Sequence, residues 1–141
     1  MNIYFACSIT GGRELEAVYQ QMVTALEADG HIIPTSHLAQ AEAMQGERAL
    51  TPRDVYERDV NWIRACDVMI AEVSVPSHGV GYEIAFALGI GKPVLCIHEQ
   101  GRRISKMITG NPDPSLATKG YSNLEEAISL AREFLKRISH L

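Results

Sequence analysis

Three stretches of the chain hold residues able to do chemistry. The first is Ser8-Ile9-Thr10-Gly11-Gly12-Arg13. Its glycines let backbone N–H groups approach an anion closely. Its hydroxyls add donors, and the helix N-terminus that follows favours negative charge. The loop reads equally as a phosphate cradle and as a strand-to-helix turn that simply requires glycine. The second stretch is Pro76-Ser77-His78-Gly79-Val80-Gly81-Tyr82-Glu83. It offers a hydroxyl, two glycines, and a carboxylate expected in the first turn of a helix. A Glu there commonly does no more than complement the helix dipole. Here Gly79 and Gly81 bring the backbone close to any ligand beside Glu83. The helix N-terminus is expected to keep Glu83 ionised, which suits a nucleophile rather than an acid. The third is Asp59, in Arg58-Asp59-Val60-Asn61-Trp62. Asp is a poor helix former, so an interior Asp is notable. On spacing alone, a solvent-facing residue beside Arg58 is the favoured reading. A carboxylate pair, one ionised and one carrying a proton, would fit glycoside chemistry through an oxocarbenium-like transition state.

Other motifs fail inspection. Gly79-x-Gly81 resembles the start of a dinucleotide signature, but Ile84 stands at the third glycine position. No acidic residue follows at a strand end to bind a ribose. There is no P-loop. His31, His37, His78, His98 and His140 lack metal-ligand spacing,. No Pro-Cys-x-x-Cys accompanies a histidine, which excludes a zinc deaminase. His37 and His78 could face a crevice, although a lone loop histidine is more often just solvated. No metal or cofactor is expected.

Composition narrows the classes further. The 141 residues carry 13 Lys plus Arg and 17 Asp plus Glu, a net charge of -4. That balance disfavours a protein that grips nucleic acid by its phosphates. Apolar residues make up 46% and charged residues 21%, as in an ordinary globular domain,. The length fits a single domain over residues 1–141,. No apolar stretch is long enough for a membrane helix. The N-terminus runs into an apolar strand with no basic region before it, so no signal peptide is expected. Cys7, Cys66 and Cys96 read as buried reduced thiols, and a cytoplasmic location is expected,.

The elements that must position these residues alternate in type. Met1 to Ala6 reads as a buried strand. Arg13 to Ala28 has a helical period in Leu15, Val18, Tyr19, Met22, Val23 and Leu26, closed by Asp29-Gly30,. His31 to Pro34 reads as a second short strand. Residues 35 to 52 show no clean period and read as a long, partly helical loop. Thr51 and Pro52 are a good N-cap and first residue for a helix to Ala65. Val68 to Val73 is an apolar third strand, and Ser74 to Gly81 a loop. A helix follows from Tyr82 to Ile90, then a strand from Val94 to Ile97. The polar stretch 98 to 117 holds a short helix at Ile104 to Ile108. Lys119 to Ser122 reads as a fifth strand, and Asn123 caps a last helix to Ile138.

Such alternation implies right-handed βαβ units. The expected fold is a three-layer, flavodoxin-like or Rossmann-like five-stranded parallel sheet with helices on both faces. In a 2-1-3-4-5 strand order, ligands bind between the loops after strands one and three. Those are the two unusual loops, Ser8 to Arg13 and Ser74 to Glu83.

Taken together, these blocks resemble a known family. Ile3-Tyr4-Phe5-Ala6-Cys7-Ser8-Ile9-Thr10-Gly11-Gly12-Arg13 is similar to the opening of the 2′-deoxynucleoside 5′-monophosphate N-glycosidases, relatives of the nucleoside 2-deoxyribosyltransferases. Asp59-Val60-Asn61-Trp62, Ala71-Glu72-Val73 and Pro76 to Glu83 match further blocks in order. Gly91-Lys92-Pro93-Val94-Leu95-Cys96 and Ser105-Lys106-Met107-Ile108 extend the match. Each motif alone is weak; the combination is specific and spans nearly the whole chain.

The resemblance implies hydrolysis of the N-glycosidic bond of a deoxynucleoside 5′-monophosphate, giving free base and 2-deoxyribose 5-phosphate. It implies Glu83 as nucleophile at the anomeric carbon, Asp59 as acid or sugar-orienting group, and Tyr4 beside the nucleophile. Ser8 and Ser77 would bind the 5′-phosphate with the amides of Ile9, Thr10, Gly11 and Gly12, and Arg13 would add a contact. Gly79 and Gly81 would lie along the substrate, and His37 near the base. Ser105, with Met107 beside it, would complete the neighbouring site of a homodimer. Thr10 stands where some relatives carry arginine, which bears on base preference or phosphate affinity. Three alternatives remain at this point. They are a deoxyribosyltransferase that passes the sugar to another base, a non-catalytic nucleotide sensor, and a flavin binder with Tyr82 or Trp62 stacked on the ring.

Overall fold

The computed structural model describes residues 1–9, 15–39 and 47–141, apart from the side chains of residues 37 and 39. Four parallel strands form one sheet: β1 (Ile3–Ala6), β2 (Val68–Glu72), β3 (Val94–Glu99) and β4 (Leu116–Tyr121), in that spatial order. Among the described residues, these helices accompany them: α1 (Glu16–Ala28), α2 (Pro52–Ala65), α3 (His78–Gly89), α4 (Lys106–Thr109) and α5 (Leu124–Ser139). A 3-10 turn spans Ser36–Ala39. Register runs from Ile3 opposite Val68 to Ala6 opposite Ala71, and Glu72 pairs with Ile97.

β1, β2 and the first four residues of β3 are buried on both faces, and their side chains divide by alternation,. Ile3, Phe5, Val68, Ile70, Leu95 and Ile97 pack with α1 and α5, through Tyr19, Met22, Leu26, Ala127, Ala131 and Leu135. Tyr4, Ala6, Met69, Ala71, Val94 and Cys96 pack on the other face against Ile63 of α2 and Val80, Ile84 and Ala87 of α3. This is the three-layer arrangement with helices on both faces.

The expected five strands are four among the described residues. His31 to Pro34 contributes only a one-residue bridge, Ile32 to Asn2, at the β1 edge. Pro34 closes this stretch, and proline brings no N–H to a ladder. The Thr35 side chain does the pairing instead. Its Oγ1 accepts from Phe5 N at 3.0 Å and donates to Phe5 O at 2.8 Å. The remaining strand order is the expected one.

Helix ends follow their caps. Thr51 Oγ1 accepts from Asp54 N at 3.1 Å while Asp54 Oδ2 accepts from Thr51 N at 3.3 Å, a reciprocal capping box ahead of Pro52,. α3 begins at His78, four residues before the expected Tyr82. The Ser77 hydroxyl accepts from Val80 N at 3.3 Å, and Val80, Ile84 and Ala87 bury one stripe. That burial outweighs the poor helix propensity of Gly79 and Gly81. Gly30, at φ 93°, takes the left-handed conformation after α1,.

One buried charge ties the far end of the sheet together. Glu72 ends β2 and is fully enclosed. Its carboxylate accepts from Ser74 N at 2.6 Å, from Ser74 Oγ at 3.0 Å and from the Tyr121 hydroxyl. Ser74 Oγ in turn accepts from Glu99 N at 2.8 Å. The ends of β2, β3 and β4 thus meet at a single carboxylate.

Candidate active site

The site lies beyond the carboxyl ends of β1 and β2, where such sheets bind ligands. A cavity of about 460 Å³ opens there. Ala6, Cys7 and Ile9 form its floor from the end of β1. Ser77, Gly79, Val80 and Glu83 come from the start of α3. Pro52, Val55 and Asp59 come from α2 at helical spacing, so one stripe of that helix faces the cavity,. Leu38, Leu50, Glu47 and Arg48 close it from the segments before α2.

Glu83 sits in the second turn of α3, not the first, because the helix starts at His78. The dipole effect fades within one turn. Burial governs Glu83 instead and pushes its carboxyl up to about 7,. The Asp59 and Glu47 carboxylates add to that rise, while Tyr4 and Arg58 oppose it. The expectation of a Glu83 held ionised by the helix end is therefore corrected. It is a desolvated carboxylate that takes up a proton near neutrality. Gly79 packs close to it, since a Cβ there would stand 3.7 Å from Glu83 Oε1.

Tyr4 is almost fully enclosed on the sheet face below. Its hydroxyl is close enough to Glu83 to favour the ionised carboxylate, yet outside strict hydrogen-bond geometry. Burial, with Glu83 next in weight, pushes its phenol far above the ordinary range. Tyr4 therefore stays protonated and presents an O–H toward the carboxylates.

Asp59 does not face solvent as spacing alone suggested. Its side chain is 17% exposed and lines the cavity, and its Oδ1 accepts from Arg58 Nε at 2.8 Å. That oxygen is held by a charge-assisted hydrogen bond from the guanidinium,. Arg58 also forks onto Glu47, Nη1 to Oε1 at 2.8 Å and Nη2 to Oε2 at 3.2 Å.

The remaining expected residues divide. Ser77 lines the cavity while its hydroxyl caps α3. Ser8 is fully buried between two lining residues, Cys7 and Ile9. Thr10, Gly11, Gly12 and Arg13, and the side chain of His37, lie outside the described residues. Gly81, Ser105 and Met107 line a second hollow of about 940 Å³ on the other side of Ser77 and Val80. Ser105 caps the short α4, and Met107 is 84% exposed. Tyr82 and Trp62, considered as flavin stackers, are engaged elsewhere. Tyr82 lies 6.5 Å from the Phe86 ring, and Trp62 carries the Arg58 guanidinium at 4.9 Å.

Sequence reasoning missed Glu47, Arg48, Leu50 and Val55. The first three fall in a segment without periodicity. The signal for Val55 was available, because it precedes Asp59 by one helical turn.

Comparison with known proteins decides the family. The sequence pattern of the family described as nucleoside 2-deoxyribosyltransferase matches residues 3–127. The chain belongs to this family. Among relatives, the 5-hydroxymethyl-dUMP N-hydrolase of Mus musculus is 44% identical over 118 residues, covering 81% of this chain and 68% of that protein. The 5-hydroxymethyl-dUMP N-hydrolase of Esox lucius is 37% identical over 144 residues, covering 99% of each. The fold of this chain is also that of a Clostridium botulinum CMP N-glycosidase, BcmB. Their structures superpose with a TM-score of 0.70 at 19% identity, over 94% of this chain and 99% of that one.

Proposed function

We propose that the protein hydrolyses the N-glycosidic bond of 2′-deoxynucleoside 5′-monophosphates. The observation that carries this reading is Glu83, a desolvated carboxylate on the wall of a nucleotide-sized cavity, with the phenol of Tyr4 and the carboxylate of Asp59 beside it. Relatives named for N-hydrolysis of a deoxynucleoside monophosphate support it.

In the first step a Glu83 oxygen bonds to the anomeric carbon as the C1′–N bond breaks. The base leaves with the bonding pair and takes a proton from solvent water. Water then displaces Glu83 from C1′, keeping its hydroxyl on the sugar and giving up a proton. The products are free base and 2-deoxyribose 5-phosphate. A deoxy sugar lacks the electron-withdrawing 2′-hydroxyl, so its oxocarbenium forms readily. Tyr4 keeps Glu83 aimed. Asp59, held by Arg58, orients the sugar. The apolar wall of Leu38, Leu50 and Val55 suits a flat base,. The 5′-phosphate would rest at the N-terminus of α3 with Ser77, near Ser8 and the amides of residues 9–12, with Arg13 as a further contact.

A homodimer completes this proposal. The second hollow adjoins Ser77 and carries Ser105, Lys106 and Met107, flanked by exposed Tyr82. A second copy seated there would bring its own Ser105 to the phosphate. A cytoplasmic setting accords with three buried cysteines that form no disulfide,.

The deciding experiment is base release from a panel of deoxynucleoside monophosphates, with nucleosides, ribonucleotides and acceptor bases alongside and Glu83→Ala as control. Release from the deoxy monophosphates, lost in Glu83→Ala by at least about a hundredfold, is the expected result. Turnover only when an acceptor base is added would make the protein a transferase instead.

A further inference from the structure

Arg58 stands behind the cavity wall rather than on it. Glu47 and Asp59 both line the cavity, and both end on this one guanidinium. The fork takes Glu47 with two nitrogens and Asp59 with the third, at 2.8, 3.2 and 2.8 Å. Its flat face lies 4.9 Å from the centre of the Trp62 ring, which fixes the plane,. The side chains of Arg58, Glu47 and Asp59 are only 21%, 12% and 17% exposed, so solvent screens them poorly. These two carboxylates take three of the five N–H donors of the planar guanidinium, one on each nitrogen,. Glu83, the remaining acidic residue on the described wall, makes no ion pair among the described residues.

We propose that Arg58 is a positioning residue that ties Glu47 and Asp59 to one guanidinium, fixing the aim of Asp59 and offsetting one of their two charges, so that Glu83 is the carboxylate presented to the substrate. The inference rests on Glu83 as the attacking group. It assigns a role to two residues outside the reaction itself, and it joins the segment before α2 to the chemistry.

The groups facing Glu83 among the described residues are Tyr4 from β1, Asp59 and Arg58 from α2, and Glu47 from the segment before it. Arg58 favours the charged form of Glu83, and Glu47 disfavours it. Substitutions that break the same ion pair from its two ends should therefore have opposite electrostatic effects. Arg58→Met should move the acidic limb of the kcat/KM profile up in pH, by about half a unit or more. Glu47→Gln should move it down. Arg58→Lys keeps the charge but loses the fork. It should hold the limb near wild type while kcat falls and KM changes little.

A merely structural ion pair predicts otherwise: both ends would lower activity and neither would move the limb. Shifts of the same sign, or none, would overturn the proposal. If Arg58→Met does not fold, as judged by thermal unfolding, Glu47→Gln and Arg58→Lys still decide it. A parallel readout is the titration of the Glu83 carboxyl by carbon NMR in the free protein, assigned with Glu83→Gln. Should no base be released from any deoxynucleotide, the hydrolase reading fails. Opposite displacements of the Glu83 titration would even then uphold the electrostatic role of Arg58, and their absence would refute it.

Discussion

Glu83 is costly to the fold in the state that makes it useful. Burial raises its carboxyl from the ordinary 4.5 to about 7. In that window the folded protein binds a proton that the unfolded chain has released. Stability therefore falls as pH rises through the interval, and the cost is complete above it. At pH 8 Glu83→Gln should be inactive yet more stable than wild type by roughly 1–3 kcal/mol, after discounting for partial exposure. The advantage should vanish near pH 4. Urea unfolding at the two pH values measures it, and equal stability at pH 8 would contradict the burial argument. Catalysis has the opposite preference. A nucleophilic Glu83 must be ionised, so base release should decline as pH drops through about 7,. Glu72, also raised by burial, slopes the stability curve the same way. Part of its cost is offset by the donors of Ser74 and Tyr121.

Helix α2 carries both members of the Arg58–Asp59 pair, and its start depends on a local device. The Thr51–Asp54 capping box satisfies two backbone donors that would otherwise lack partners,. Thr51→Ala should cost about 1 kcal/mol in thermal or denaturant unfolding. Because the cap is two turns from Asp59, kcat at saturation should stay within about twofold. A large loss of kcat would mean that the helix start also sets the site. This cap was legible in the sequence, as was the alternation of strands and helices. The start of α3 was not. Two glycines in four residues read as loop, and only packing of Val80, Ile84 and Ala87 on the sheet reveals a helix there. The second expected strand failed for a similar reason: Ile32 and Ile33 have strand propensity, but pairing stops with Pro34 and passes to a side chain. The candidate site divides along the same line. Glu83 and its loop stood out by residue type. Spacing alone turned Asp59 toward solvent, because helical spacing gives a face but not what covers it; only the resemblance put it in the site. Glu47 was invisible, since its partner lies eleven residues on and no period links them.

As a whole, the chain presents one side on which exposed apolar residues gather. Tyr56, Tyr82 and Met107 are 51%, 56% and 84% exposed. Tyr82 packs between the rings of Tyr56 and Phe86 at 6.3 and 6.5 Å, and the second hollow lies beside them. If a second copy covers this side, Met107→Glu should weaken self-association at least tenfold, read by sedimentation. KM for the nucleotide should rise with the loss of Ser105 from the neighbouring site. A Met107→Glu protein that stays dimeric, or a wild type that sediments as a monomer, would remove the shared-site arrangement. The β1 margin of the sheet is managed differently. There β1 would offer bare amide and carbonyl groups, which can recruit a strand from another molecule. The bridge at Ile32 occupies the first of them, and the Thr35 hydroxyl occupies both groups of Phe5. A single oxygen thus stands where a fibril would otherwise find its template, and it shuts that margin without adding a strand.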